Sequence, residues 1–296
     1  MKGTVLTVAS GKPENVSLSD QGHMACAWPS PCSGTVAGKI PVDYRAPLSG
    51  SHTFVQTFRV EEPATFARIA FVAALARAGV TVRAPALEKN PTSGLPSIAA
   101  YSRKMRVAAF VSPPYSEDAK LILKVSLNLG ANLSLSLFGL TQGERTIGGA
   151  LTAERNALES TMGIAPASFD FPTNGSGSPD SRAAPRATVK MLIAMSKSKH
   201  AAAYRASLPI LGVDGSLAET GRSLPARGHV FAKTGTTVEK GQLKAQVLAG
   251  YIDTRKGRHL AFALYVNDAG PLQSIADVAT VFSDEGQIAN EIYEMN

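Results

Sequence analysis

GHVFAKTGTTVEKGQLKAQVLAGYIDTRKGRHLAFALYVN, residues 228–267, is where the chain changes period. Three β-rich runs, 228–233, 245–253 and 260–267, are separated by turns of Gly and charged residues. A helical pattern over 275–295 closes the chain. Upstream lie further helical patterns. One covers 64–78, opened by Glu61, Glu62 and Pro63 and ended by Gly79. Another starts at Ser116 with Glu117 and Asp118 in its first turn and runs as one helix towards Phe138, stopping near Gly139. Two more cover 148–162 and 185–199. Helices, then three strands, then a terminal helix predict an α+β fold with helices packed on a sheet. Residues 129–140 are almost wholly apolar, which predicts a helix lying in the core.

The first 58 residues are rich in Gly, Ser, Pro and Thr, with β-like runs at 3–8 and 53–60. A short strand is expected at 80–82 and a linker over 84–103. With 296 residues, the chain is long enough for one large domain or two ordinary ones, and its 44% hydrophobic content supports a sizeable core. The net charge of +7 comes without any run of five Lys or Arg and without interleaved aromatics, which argues against a nucleic-acid partner. Cys26 and Cys32 either close a small disulfide loop in an oxidising compartment or are two unrelated small side chains. The five histidines are scattered and no CxxC or HExxH occurs, so neither a metal nor another cofactor is expected. The first residues show no signal peptide, and no apolar stretch is long enough for a transmembrane segment.

Three stretches could carry chemistry. Lys233, Thr234 and Gly235, followed by Thr236 and Thr237, end a strand. Lys supplies charge, Thr a directed donor, and Gly room for a substrate backbone, which suits a carboxylate-binding edge; the plainer reading is a strand running into a turn. Ser126 and Asn128 are polar groups in a Leu-rich helix, and Asn132 follows one turn later. Residues two apart do not share a helix face, so Ser126 and Asn128 are either hydrogen-bonded core groups or sit at a helix break or a turn between helices, facing a cleft. The run Asn174, Gly175, Ser176 and Gly177 is a tight loop, with Arg182 and Arg186 just beyond it as candidates to steer an anion.

Taken together, KVSLN, TNGSGSPDSRA and VFAKTGTT, in this order and with 105 positions between Asn128 and Lys233, resemble the class C low-molecular-mass penicillin-binding proteins, the D-Ala-D-Ala carboxypeptidase/endopeptidase family. SPPYSEDAKLILKVSLN, SLPILGVDGSL and LAGYIDTRKGRHLAFALYVND carry the same resemblance, which spans about residues 50–296. It implies a transpeptidase fold, an antiparallel sheet flanked by helices, in incomplete form. It also implies a peptidoglycan stem peptide ending in D-Ala-D-Ala as substrate, and β-lactam antibiotics as ligands of an intact parent. Ser126 would relay a proton to the leaving group, Asn128 would bind the acyl amide, and Lys233 and Thr234 would hold the terminal carboxylate. Gly235 lies beside them, and the Thr236 N–H would form one arm of an oxyanion hole. Ser176 and Arg182 would contact substrate. The loop at 174–177 resembles the family's D-G-S-G loop with Asn for Asp, so a charged role there is not carried over.

The family's nucleophile is the Ser of an S-x-x-K motif preceding S-x-N. In these residues the pattern occurs only from Ser196 to Lys199, after Asn128. The expected organisation is therefore 1–104 as the end of an inserted domain and 105–296 as the returning part of the transpeptidase domain. The nucleophile and signal peptide would belong to a preceding part of a periplasmic parent, and this chain alone would be inactive. Two other readings are a non-catalytic module binding stem peptides through Lys233 and Thr234, and a serine esterase using Ser126 with Lys124 or Lys233 as base.

Overall fold

The structure, a computed structural model, describes the strand residues 4–10, 17–18, 23–24, 35–40 and 59–60, and then residues 63–88, 90–91, 93–172, 180–273 and 275–296. Cys26, Cys32, the loop 174–177 and most of the run 53–60 lie outside the described residues. The chain forms two compact units, Met1–Phe110 and Val111–Asn296.

In the first unit, β1 (Thr4–Ser10) pairs parallel with β4 (Thr35–Ile40), whose other edge takes β2 (Ser17–Leu18) antiparallel. The pair β3 (His23–Met24) and β5 (Arg59–Val60) is parallel. Helix α1 spans Pro63–Arg77, with Pro in a first turn that needs no N–H, and Gly79 follows it at φ +80°. The strand expected at 80–82 does not form. The Val80 N–H is bonded back to Leu75 O at 2.9 Å, closing the helix end instead of pairing with a strand.

The second unit is built on an antiparallel sheet of β8 (Val230–Glu239), β9 (Gln242–Asp253) and β10 (His259–Pro271), in the order β10–β9–β8. The strands are longer than the apolar runs suggest because Lys240 and Gly241, both at positive φ (49° and 74°), make a two-residue hairpin turn. The period of two then sorts side chains between the sheet's faces. Val230, Ala232, Leu248 and Ile252 form a buried cluster with Ala289 of the terminal helix α7 (Ile275–Met295). On the opposite face Tyr251 packs with Leu192 of α5 (Pro185–Ser196), Leu208, and Tyr204 of α6 (Ala201–Ser207). Its hydroxyl donates to Leu192 O at 2.6 Å. The remaining elements are α2 (Tyr115–Val125), α3 (Asn128–Thr141), α4 (Ile147–Met162) and the short pair β6 (Phe169–Asp170) and β7 (Arg182–Ala183).

Two helical expectations are corrected. The single helix from 116 to 138 is two helices, broken at Ser126 and Leu127. The apolar run 129–140 is not enclosed: Leu129, Leu133, Leu137 and Leu140 are exposed, whereas Gly130, Leu135 and Gly139 are buried. The buried side is narrow because it is made by glycines. A Cβ on Gly139 would lie 2.6 Å from the Ala150 Cβ of α4, and one on Gly130 would lie 2.5 Å from Ile122 of α2. The leucines at four-residue spacing fall on the other side.

Central strand β9 also depends on close backbone approach. A Cβ on Gly250 would lie 2.6 Å from the Ala232 Cα and against the Phe231 carbonyl, whereas one on Gly148 of α4 would meet nothing within 4 Å. Gly250→Ala should therefore cost about 1–3 kcal/mol by overpacking. Gly148→Ala should leave stability unchanged or raise it by up to about 1 kcal/mol. Urea unfolding midpoints of the two variants should move in these different ways.

Candidate active site

Why helix α2 stops where it does is written in its last turn. Lys124 is 5% exposed, and its Nζ lies 2.6 Å from both carboxylate oxygens of Asp214 and donates to Leu208 O at the same distance. The Asp214 Oδ1 also accepts the Ile210 N–H at 2.9 Å. Segment 208–214 is thus tied to α2 through one buried ion pair. Ser126, two residues on, takes the left-handed conformation (φ 57°, ψ 49°) and directs its N–H back to Ile122 O. The Leu127 N–H goes to the same carbonyl at 3.0 Å, and α3 restarts at Asn128. A non-glycine residue in this region costs about 1 kcal/mol or more, so the surrounding contacts must over-determine it. The break lets Ser126 and Asn128 line one cleft, which a continuous helix would forbid.

The facing wall is β8. The Lys233 Nζ donates to Ser126 Oγ at 2.7 Å and to Thr234 O at 2.6 Å. Burial lowers the Lys233 pKa to about 8, so its ammonium is retained at neutral pH but is close to releasing its proton. Thr234 is buried, and its hydroxyl shares a 2.8 Å hydrogen bond with Ser216 Oγ. Gly235 has no room for a side chain, since a Cβ would lie 2.8 Å from Val247 Cγ2. The Thr236 hydroxyl donates to the Gln246 Oε1 at 2.6 Å.

These residues surround a cleft of about 790 Å³. Ser126, Asn128, Lys233, Thr234, Gly235 and Thr236 all line it, as do Asp180 and Ser181. Arg182 does not: it sits exposed on β7, in register with Asp170 of β6. Ser176 lies outside the described residues. Lys124 does not reach Ser126 as a base, because its ammonium is committed to Asp214 and Leu208. Ser216, which bonds Thr234 without lining the cleft, is not singled out by the motifs, although it lies in the stretch SLPILGVDGSL. Gln246 was missed too; its signal is a polar residue at the same strand parity as Leu248 and Ile252. Among the described residues no helix is long and apolar enough to cross a membrane.

Over residues 33–283 the chain matches the D-Ala-D-Ala carboxypeptidase 3 (S13) family. It belongs to that family. Two crystal structures of penicillin binding protein 4 from Haemophilus influenzae are similar to it in fold. One, complexed with a β-lactam, has a TM-score of 0.60 at 21% identity and aligns with 95% of this chain and 59% of its own length. The other has a TM-score of 0.63 at 21% identity and aligns with 88% of this chain and 54% of its own. The chain therefore spans little more than half the length of either. No curated protein sequence matches it. The fold is that of the penicillin-binding proteins, an antiparallel sheet flanked by helices.

The Lys124–Asp214 pair makes a testable demand. Removing Asp214 strands the buried Lys124 charge, so Asp214→Ala should cost about 3–5 kcal/mol, whereas Lys124→Met leaves a carboxylate that water still reaches and should cost less. The double variant Lys124→Met/Asp214→Leu should be less destabilised than Asp214→Ala alone. Chemical unfolding of all three checks the order, and a double variant as unstable as the sum of the singles would remove the pair's claimed role.

Proposed function

We propose that the cleft holds a peptidoglycan stem peptide ending in D-Ala-D-Ala, and that this chain is the substrate-holding part of a periplasmic serine-type D-alanyl-D-alanine carboxypeptidase or endopeptidase. The observation that carries this reading is the Lys233 ammonium, bonded to Ser126 Oγ and set on a strand whose outer edge lines the cleft. β8 is the outer strand of its sheet, and beyond Ala232, where segment 209–211 stops pairing with it, an extended peptide can add to it by main-chain hydrogen bonds. The terminal carboxylate would meet Lys233 and Thr234. Asn128 would hold the acyl amide, and the Thr236 N–H would supply one arm of the oxyanion hole. A β-lactam would enter as a mimic of the same peptide. In this reading residues 1–104 are the end of an inserted domain.

The acylating step needs a serine with a base at hand. The S-x-x-K at Ser196 does not provide it. Ser196 ends α5, donates to Ile193 O at 2.9 Å, and does not line the cleft. We assign the nucleophile to residues outside this chain and expect the chain alone to bind without turnover. One observation favours a second reading. Ser126 and Lys233 are within 2.7 Å, and a lysine with a pKa near 8 is a serviceable base, so a Ser126–Lys233 pair could itself take an acyl group.

Calorimetry with N-acetyl-D-Ala-D-Ala should show saturable binding that weakens about tenfold or more in Lys233→Ala, the loss expected for one charge-assisted hydrogen bond. Equal affinity in that variant would remove Lys233 from the reading. Binding should also fade as pH rises above about 8, where Lys233 loses its charge. Incubation with a fluorescent penicillin separates the two chemical readings. No covalent label is expected, whereas a label mapped to Ser126 and lost in Ser126→Ala would replace the first with the second.

A further inference from the structure

From the cleft wall inward runs a chain of polar groups that begins at exposed Thr236 and is fully buried at Gln246 and Glu285. Thr236 of β8 stands opposite Gln246 of β9 in the ladder. The Thr236 hydroxyl reaches the Gln246 Oε1 at 2.6 Å, and the Gln246 Nε2 reaches the Oε2 of Glu285, on α7, at 3.3 Å. Gln246 is 0% exposed and Glu285 is 1% exposed. The second oxygen of Glu285, Oε1, is buried with no hydrogen-bond partner among the described residues. An ionised carboxylate in such a place is held by one long hydrogen bond and is poorly stabilised.

The groups form a reversible relay because a glutamine amide can turn over and exchange its donor and acceptor ends. With Glu285 ionised, Nε2 donates to the carboxylate and Oε1 accepts from Thr236, whose proton then points inward. With Glu285 protonated, its O–H can donate to Oε1 of a turned amide, Nε2 donates to Thr236 Oγ1, and the Thr236 proton is released towards the cleft. No atom leaves the relay except the one proton exchanged with solvent. We propose that Glu285 is a positioning residue which, through Gln246, decides whether the Thr236 hydroxyl offers its proton to a ligand carboxylate in the cleft. The inference rests on the cleft being the peptide site.

The range in which this operates follows from burial, which raises the Glu285 pKa to about 7; the Gln246 hydrogen bond opposes that rise. Charged groups on the surrounding elements are engaged elsewhere. Lys244 of β9 pairs with Asp268 of β10, Arg222 pairs with Glu219, and Arg255 pairs with Glu294. On α7 itself Asp277 accepts from the Gln273 N–H, while Asp284 and Glu291 are exposed. Glu239 at the end of β8 and Lys240 in the hairpin turn are exposed and lie together. His229 lies against Tyr293 near the C-terminal end of α7.

The test is a pH titration of the 296-residue chain by NMR, together with N-acetyl-D-Ala-D-Ala affinities. In the wild type the Gln246 side-chain amide and the Thr236 signals should shift with a midpoint near 7. In Glu285→Gln, which is neutral and keeps the shape, they should not shift. Asp284→Asn should behave as wild type. The ratio of Glu285→Gln to wild-type affinity should rise from near one at about pH 6 to about ten at about pH 8, the worth of one hydrogen bond to a charged group. Taking this ratio cancels the separate Lys233 limb. In Thr236→Val the pH-dependent difference between the two Glu285 forms should vanish, while Glu285 itself still titrates. Wild-type signals that stay flat across neutral pH would overturn the relay, as would a titration that survives Glu285→Gln. A ratio constant with pH would overturn its reach into the cleft. Titrating signals with no peptide binding at any pH would uphold the relay and instead sink the peptide-site reading.

Discussion

The ion pair between Lys124 and Asp214 is the constraint from which the site follows. It joins the last turn of α2 to the segment leading into the sheet, at 2.6 Å and with the lysine almost fully buried. A pair of this kind is weak as a source of net stability but strict about geometry, since the buried Lys124 charge is intolerable without Asp214. The strictness is spent two residues later, where Ser126 adopts a left-handed conformation that a free chain would avoid. Without a fixed α2 end there would be no reason for the break at Ser126 to face Lys233 rather than any other part of β8.

What faces Ser126 is a lysine placed at the edge of its own stability as an ion. Burial disfavours the ammonium, and the partners in contact are neutral oxygens, the Ser126 hydroxyl and the Thr234 carbonyl. Such a group binds an incoming carboxylate better than a lysine already paired with an acid, because the anion restores an interaction the fold withholds. The contrast with Lys124 is instructive. Two lysines meet one helix end: Lys124 is satisfied by Asp214, whereas Lys233 has only neutral oxygens and, on the proposed reading, takes its anion from a ligand.

Much of this was legible in the residues. The three strands and terminal helix follow from the change of period after residue 228, and the S-x-N and K-T-G residues follow from spacing and resemblance. The break at Ser126 was legible only as an alternative, raised by two polar residues that no single helix face could hold, because apolar residues continue on both sides of it and the Lys124–Asp214 pair that fixes the helix end joins positions 90 apart. The burial of 129–140 failed for a related reason. Apolar content says that a helix can be covered, but the glycines at 130 and 139 decide which side is packed closely. Glu285 was visible and overlooked. It sits on a stripe with Val278, Ala289 and Ile292, and an acid on an apolar helix face must have a partner or a purpose.

The strand β8 shows how one element serves two chemistries at once. Alternation sends Lys233 towards the α2–α3 turn, while Thr234 and Thr236 turn their hydroxyls towards Ser216 and Gln246 on the other side. The lysine and the two threonines, all lining the cleft, are therefore neighbours in sequence whose side chains make their hydrogen bonds on opposite faces of the strand. On the relay proposed above, a substitution at Gln246 or Glu285 alters the hydrogen-bonding character of the edge without touching the lysine or the serine. The reverse does not hold, since moving Lys233 disturbs the same backbone that carries both threonines. If the proposed reading holds, the charge that draws a ligand and the hydrogen bonds that adjust the edge around it leave one strand in opposite directions.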